Sequence, residues 1–561
     1  MPPVFSKEKQ KIYCLFDSSR GEHRTSPCEL HCLVGNPIQQ MSRALADGNS
    51  DLALRALRAV NPFPGVTGRV CPHPCEENCN RGCLDESVSI RALERFSADH
   101  GNSPRLQPLQ PSGKSVAVIG SGPSGLACAY FLTLLGHDVT VFEASPVAGG
   151  VPRLSIPDFR LPKDVVDKEV GLLLDLGVKI VTNTEVGRDI QMADLKERFS
   201  ACVVAVGNRK ERMLAIPGIE HALPAVSFLQ SSNLARERMD GKRVVILGGG
   251  GVAFDCAFTA RRLGASSIAL VCLENRAIMK VTQAELAQAD AEGIELHTGH
   301  LSAGIDMNVD GRLCVRADAV SDFSFDDKGE LHVEKEDIPQ LVLECDIVIC
   351  ASGLMPDISF LDGLELQRTG RGGIAVENGQ SSLPGLFAVG ECTMGPSLVS
   401  SVVRNARRTA FEIHAWLNDM PLGQAIDASI DENGLINVSY GVTKGEQHEV
   451  QFEEIANIYH YEKNQRSKTV FLTANETWMA FEELDKGLRD EDAAIEAARC
   501  MHCGHCQACG ECVDSCPGLI LELGDVSARV AYPDECWHCG CCRLACPGAC
   551  ISFKFPIHTF L

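Results

Sequence analysis

Long apolar runs and positive charge are both scarce in this 561-residue sequence. No stretch of about 18 apolar residues occurs, so no membrane-spanning helix is expected. Apolar segments such as Leu341 to Met355 are broken by Glu344 and Asp346. The opening MPPVFSKEKQKIYCLF lacks the continuous apolar stretch of a secretory signal. Lys and Arg total 52 against 74 for Asp and Glu, a net charge of −22, which argues against a phosphate-binding surface for nucleic acid. At roughly 150 residues per domain the length predicts three to four domains.

Cysteine, by contrast, is abundant and uneven: of 27, 7 lie within residues 1–83, 8 within 84–499 and 12 within 500–561. Disulfides suit small secreted domains. With no export signal, the expectation is a soluble, cytoplasmic protein whose clustered thiols bind metal.

The C-terminal cysteines follow a repeated spacing. Cys506-x2-Cys509-x2-Cys512-x3-Cys516-Pro517 recurs as Cys536-x2-Cys539-x2-Cys542-x3-Cys546-Pro547. This matches the bacterial two-cluster ferredoxin pattern, in which each run gives three thiolates to one 4Fe-4S cubane and its fourth cysteine to the other. The expected sets are Cys506, Cys509, Cys512 and Cys546, and Cys536, Cys539, Cys542 and Cys516. A zinc ribbon also uses CxxC pairs, but not two complete runs each followed by proline. Cys541 and Cys550 fall outside the spacing and are read as bystanders.

The middle of the chain reads as two nested dinucleotide folds. Residues 115–143 run strand, glycine turn, helix, second strand and Glu143, with Gly120, Gly122 and Gly125 in the turn. These glycines allow a tight turn, close approach of a pyrophosphate and tight helix packing, and Glu143 can accept from ribose hydroxyls. A second copy begins at Arg243, with Gly248, Gly250 and Ala253 in its turn and Glu274 after its second strand. A carboxylate there favours NAD(H), although Arg276, Arg261 and Arg262 offer charge for the 2′-phosphate of NADP(H). Cys128, Cys202, Cys256, Cys272 and Cys392 are single. Cys345 and Cys350 share a four-residue gap but lie on an apolar stretch, which points away from a redox disulfide.

The segment LPGLFAVGECTMGPSLVSSVVRNARRTAFEIHAWL, from Leu383, resembles the closing FAD motif of two-dinucleotide-binding flavoproteins. That resemblance puts FAD on the first copy and the nicotinamide coenzyme on the second. It also implies contacts from Gly150, Gly207, Gly390, Glu391 and Val399, with Glu391 standing where the family usually has Asp. Stretches around Gly207 and Gly353 resemble its crossover strands.

At the N-terminus, SPCELHC (Cys28, Cys32) is followed by NPFPGVTGRVCPHPCEENCNRGC (Cys71, Cys75, Cys79, Cys83), and helical periodicity lies between. With GGVPRLSIPDFRLPK at 149–163, residues 26–418 resemble the glutamate synthase small subunit and the N-terminal part of dihydropyrimidine dehydrogenase. The resemblance implies one 4Fe-4S cluster on Cys32, Cys71, Cys75 and Glu94, and a second that uses Cys28, Cys79 and an upstream CxxC. Only Cys14 lies upstream here. The family phrase EAxRCxxC occurs instead at Glu496–Cys503, so Cys500 and Cys503 are expected to fold back onto Cys28 and Cys79; Cys83 with Cys14, or free thiols, are the alternatives. His73, His502 and His505 are read as bystanders.

The expected plan is a multidomain chain: an N-terminal all-α iron–sulfur domain (1–110), two nested α/β three-layer Rossmann-type domains binding FAD (111–240 and 346–420) and NAD(P)H (241–345), a linker (421–495) and an α+β bacterial ferredoxin-like domain (496–561). The resemblance implies an electron-transfer subunit working between NAD(P)H and a ferredoxin or a larger oxidoreductase complex. The alternatives are a glutamate synthase small subunit, or a structural electron wire with vestigial nucleotide sites.

Overall fold

The computed structural model describes residues 23–102, 104–326, 331–424, 426–441, 447–472, 480–525, 527–537 and 539–551; Cys14 lies outside them. The chain forms two compact units: residues 1–107, 423–469 and 487–561 in one, and 108–422 with 470–486 in the other. Among the described residues no helix is long and apolar enough to cross a membrane.

The first unit starts as a helical array. The periodic stretch between the cysteine groups splits into Ile38–Ala46 and Ser50–Arg58, broken where Asn49 accepts a hydrogen bond from Leu52 N at 2.9 Å and caps the second helix. Ile38, Met41 and Leu45, then Leu54 and Leu57, point inward at helical spacing. Helices Pro64–Val70 and Ile90–His100 pack so closely that a Cβ on Gly68 would meet Arg95 N at 2.7 Å. Two short strands, His23–Thr25 and Gln447–Glu449, pair in parallel. The C-terminal part adds helix Asp490–Ala498, then a hairpin of Leu521–Leu523 with Ala528–Val530 between two short helices, Glu511–Asp514 and Cys541–Ala545.

The stretch 421–495, read from sequence as a linker, is shared between both units. Its hairpin Ile426–Ile430/Ile436–Tyr440 buries Ile436 in the first unit, so it adds core rather than spacing two domains.

The second unit holds two parallel five-stranded sheets. One has the spatial order Leu386–Ala388, Ala201–Val204, Ser115–Ile119, Asp138–Phe142, Lys179–Val181. The other runs Glu295–His297, Ser267–Val271, Arg243–Leu247, Ile347–Cys350, Ala222–Pro224. Near-continuous apolar strands such as SVAVI and RVVIL suit sheets covered on both faces. Ile347–Cys350 and Ala222–Pro224 pair within the second sheet, so the boundaries expected at 240/241 and 345/346 cut across it. An antiparallel meander, His300–Cys345, is inserted between its last strands.

Candidate functional site

Each sheet carries a glycine turn at the carboxyl end of its central strand, where doubly wound sheets bind ligands. In the first turn Gly120 has φ +104°, and a Cβ there would meet the Ala205 carbonyl oxygen at 2.6 Å. A Cβ on Gly125 would meet the Gly120 oxygen at 2.0 Å, while one on Gly122 would meet nothing within 4 Å. The three glycines thus make the turn, admit the helix Pro123–Leu134 against the strand, and leave one open approach to backbone N–H groups at a helix N-terminus. The second turn repeats the arrangement: a Cβ on Gly248 (φ +136°) would meet Ala351 O at 2.5 Å, Gly250 faces open space, and Ala253 is fully buried.

Around the first turn the expected FAD contacts come together. Glu143 Oε2 accepts from Ser121 N and Oγ at 2.8 and 2.6 Å, and its Oε1 from Ser145 N at 2.7 Å, so the carboxylate lies at the glycine loop. Gly150 is so near that a Cβ would meet Gly122 Cα at 2.6 Å. Gly390, at φ +81°, has room only for hydrogen: a Cβ would lie 2.3 Å from Ser124 Oγ. Glu391 Oε1 accepts from Ser397 N at 2.8 Å, and its Oε2 lies 3.9 Å from where a Gly207 Cβ would stand. Burial raises the Glu391 carboxyl above its usual range. Its extra methylene, compared with Asp, lets it tie the loop before helix Val399–Leu417 to the Gly207 loop. Ser400 Oγ and Asn208 Oδ1 are buried here with no partner among the described residues. Orphaned polar atoms beside an open glycine backbone fit a bound dinucleotide.

At the second turn, Glu274 Oε2 would lie 3.3 Å from a Cβ on Gly249, where a ribose is expected. Arg261 and Arg262, offered above as phosphate ligands, are committed elsewhere. Arg262 is fully buried, bidentate to Glu292 at 2.9 Å and stacked 4.2 Å from the Phe159 ring; Arg261 donates to the Ala265, Glu292 and Gly293 carbonyls. Arg276 is half-exposed and paired with Asp290. Cys345 and Cys350 are buried in an apolar cluster between the second sheet and its meander.

In the other unit most of the described cysteines gather in four groups. A small pocket, partly open to solvent, is lined by Cys506, Cys509, Cys512 and Cys546 together with Pro547, Cys550 and Ile551. A second is lined by Cys516, Cys536, Cys539 and Cys542 with Pro517, Ile520 and Trp537. Each cavity pairs three cysteines of one run with the fourth of the other. Cys550 N lies 3.3 Å from Cys546 Sγ, and the Cys550 side-chain hydrogen bond lowers the Cys546 thiol below its usual range. Cys550, read as a bystander, therefore touches a cavity-lining thiol.

Cys28, Cys79, Cys500 and Cys503 form the third group. Burial raises the Cys28 thiol, and the neighbouring Cys79 and Cys500 raise it further. Cys500 is pushed up to about 12 by burial, with Cys79 and Cys503 adding to the effect, and Asn80 Nδ2 donates to Cys503 Sγ at 3.4 Å. The local cause is a clamp that the spacing did not announce. Arg499 is buried and bonds Glu496 at 2.7 Å and Asp85 at 2.9 Å, while Ser89 N donates to Glu496 at 2.7 Å. Cys83, an alternative ligand, is exposed and outside the group.

The fourth group is Cys32, Cys71, Cys75 and Glu94. Gly35 N and Asn36 N donate to Cys32 Sγ at 3.3 Å, suiting a thiolate. Burial pushes the Glu94 carboxyl up to about 7, although Thr67 Oγ1 donates to it at 2.5 Å and Asn61 at 3.0 Å. Burial raises Cys75, as do Cys32, Glu76, Cys71 and Glu94. Among the described residues no three such side chains converge closely enough for a single metal ion. A four-iron cubane spreads its thiolates over a wider frame, so buried groups of four donors fit it.

Two family models match: pyridine nucleotide-disulphide oxidoreductase over residues 114–410, and dihydropyrimidine dehydrogenase domain II, 4Fe-4S cluster, over 15–105. The chain is 33% identical to the NADP(+)-dependent formate dehydrogenase subunit beta of Moorella thermoacetica, over 85% of this chain and 70% of that protein. It is 30% identical to the NADPH-Fe(3+) oxidoreductase subunit beta of Geobacter sulfurreducens, over 85% and 75%. To the glutamate synthase [NADPH] small chain of Azospirillum brasilense it is 33% identical, over 72% and 91%. With its paired glycine turns and its helical cysteine-bearing N-terminal region, the chain belongs to the pyridine nucleotide-disulphide oxidoreductase family, among the FAD-dependent NAD(P)H oxidoreductases related to the glutamate synthase small subunit.

Proposed function

We propose that this chain is the FAD- and iron–sulfur-bearing subunit of a larger oxidoreductase complex, passing electrons between NAD(P)H and a ferredoxin or a partner subunit. The observation that carries this reading is the presence, on one chain, of two open glycine turns and four groups of clustered donors. Bound FAD exchanges a hydride for single electrons, and each iron–sulfur cluster takes one electron at a time.

The chain's own residues supply binding and orientation. Gly120, Gly122, Gly125, Glu143, Gly150, Gly207, Gly390, Glu391 and Val399 hold FAD; Gly248, Gly250, Ala253 and Glu274 hold the nicotinamide coenzyme, with Arg276 at its edge. Residues 496–561 form a ferredoxin-like domain with two 4Fe-4S clusters. Two more lie on Cys32, Cys71, Cys75 and Glu94, and on Cys28, Cys79, Cys500 and Cys503. The protein works in the cytoplasm, where thiols stay reduced.

The coenzyme preference is for NADH. Glu274 beside Gly249 repels a 2′-phosphate, and Arg261 and Arg262 are used in packing. The names of the relatives carry NADP and NADPH, so NADPH is the competing outcome. The alignment with the glutamate synthase small chain spans 72% of this chain and those with the two beta subunits span 85%, which favours a complex subunit over a glutamate synthase small subunit.

Anaerobically purified chain is expected to be yellow-brown and to lose its flavin absorbance faster with NADH than with NADPH, and Glu274→Ser narrows that preference about tenfold. No bleaching by either coenzyme would leave a wire with vestigial nucleotide sites. Cys500→Ser with Cys503→Ser lowers iron by about four per chain; an unchanged iron count rejects the fourfold set with Cys28 and Cys79.

A further inference from the structure

Residues 447–469 carry no motif, yet they lie against both cysteine-rich parts of their unit. On the N-terminal side, Asn80 Nδ2 donates to the Val450 carbonyl at 2.9 Å, Arg24 pairs with Glu454 at 2.7 Å, and Asn464 N donates to Asp85 at 3.1 Å. On the C-terminal side, Asn457 Nδ2 donates at 2.8 Å to the carbonyl of Ala545, the residue before Cys546, and His460 lies 3.3 Å from Glu511. Between these anchors Val450 and Ile455 pack with Met501, Cys503 and Ala549, with Tyr461 against them.

Tyr461 occupies the critical place. Its hydroxyl donates to the Met501 carbonyl at 2.7 Å, inside the loop that joins Cys500 to Cys503. That loop turns through His502 at φ 46°, a left-handed conformation that needs support from its surroundings. The ring packs on the apolar cluster that holds Cys503 and Ala549, and Ala549 N donates to the Cys546 carbonyl at 3.4 Å, so it borders residues of both groups. A tyrosine suits such a place because its apolar body fills a dry gap while its polar end anchors a backbone carbonyl.

We propose that residues 447–469 form a strap whose Tyr461 is the positioning residue between two cluster-holding sets, fixing the separation of Cys28/Cys79/Cys500/Cys503 from Cys506/Cys509/Cys512/Cys546 and keeping water out of the gap. The inference rests on the cluster assignment above. It adds a spacing role for a segment that none of those ligands occupies.

The test uses the full chain, purified anaerobically with its cofactors. Tyr461→Ala opens the gap; Tyr461→Phe keeps the ring and loses only the bond to Met501. Both variants are expected to keep the parent's FAD, flavin bleaching and iron as purified. In the electron paramagnetic resonance spectrum of the reduced chain, Tyr461→Ala weakens the magnetic broadening between neighbouring clusters, and in air it loses iron about tenfold faster. Tyr461→Phe restores most of both properties. An alanine variant with the parent's broadening and air stability overturns the proposal. One that already lacks iron as purified also overturns it, because Tyr461 would then serve to build one site and not to space two. A parent chain with no cluster signal removes the cluster assignment and the strap together, whereas failure of the strap alone leaves that signal intact.

Discussion

The glycines of the two turns show how far single residues can be read. Gly120 and Gly248 both press on an alanine carbonyl, Ala205 and Ala351, so the second copy repeats the backbone problem of the first with the same solution. The cost of a side chain differs sharply within one turn. Gly125→Ala forces a Cβ against the Gly120 oxygen and is expected to cost about 1–3 kcal/mol or more of stability. Gly122→Val has open space in the apo fold, so its stability stays within about 0.5 kcal/mol of the parent while FAD is lost. Thermal unfolding of the flavin-free variants, read beside flavin content after dialysis, separates the two; equal destabilisation would mean that Gly122 is a packing glycine. Such roles were legible because they are properties of local backbone. The fates of Arg261 and Arg262 were not, because no spacing tells that Glu292 and the Phe159 ring wait thirty residues downstream and a hundred upstream.

At the scale of elements, the two long helices beside the first sheet pack together, Pro123–Leu134 against Val399–Leu417, with Phe131 near Phe411. Just beyond the first helix His137 is buried. Its Nδ1 lies 2.7 Å from Ser112 Oγ, its Nε2 lies 2.9 Å from His414 Nδ1 on the second helix, and Lys114 stands nearby. Burial, then His414 and Lys114, hold His137 down to about 4, below its ordinary 6.5. Burial lowers His414 too. The unfolded chain therefore takes up protons first. Stability is full above the ordinary value and is lost as pH falls from 6.5 toward about 4. The denaturant midpoint of the protein, followed by far-ultraviolet dichroism, should drop over that window, and His137→Asn with His414→Gln should flatten the drop. An unchanged slope in the double variant would place the acid sensitivity elsewhere. This pair escaped notice in the sequence because its members stand 277 residues apart. The helices and strands around it were legible from apolar period and glycine turns.

Across the molecule, one unit is assembled from three separated stretches, 1–107, 423–469 and 487–561. The Glu496–Arg499 clamp and the strap join them, and the proposed shared cluster would add four cysteine ligands drawn from two of the three. Metal binding at such a site is folding free energy. Removing iron with a chelator and mild oxidant is expected to open 423–469 and 487–551 to protease, with 108–422 remaining resistant and still binding NAD(P)H. Equal resistance with and without iron would show that hydrogen bonds and packing alone hold the unit.

The sequence by itself determined the chemistry-bearing parts: two glycine turns with their acidic partners, and cysteine runs whose spacing already named the two C-terminal sets. Each of these is written within a few tens of residues, because turn geometry and loop-borne ligands are local constraints. Tertiary structure alone decided that a buried clamp of Arg499, Glu496 and Asp85 holds the EAARC turn beside the N-terminal cysteines, that Arg262 is a buried ion pair, and that the apparent linker packs against both cysteine-rich parts of its unit. Those outcomes depend on which distant surfaces bury together, and burial is a property of the folded chain that no local spacing records.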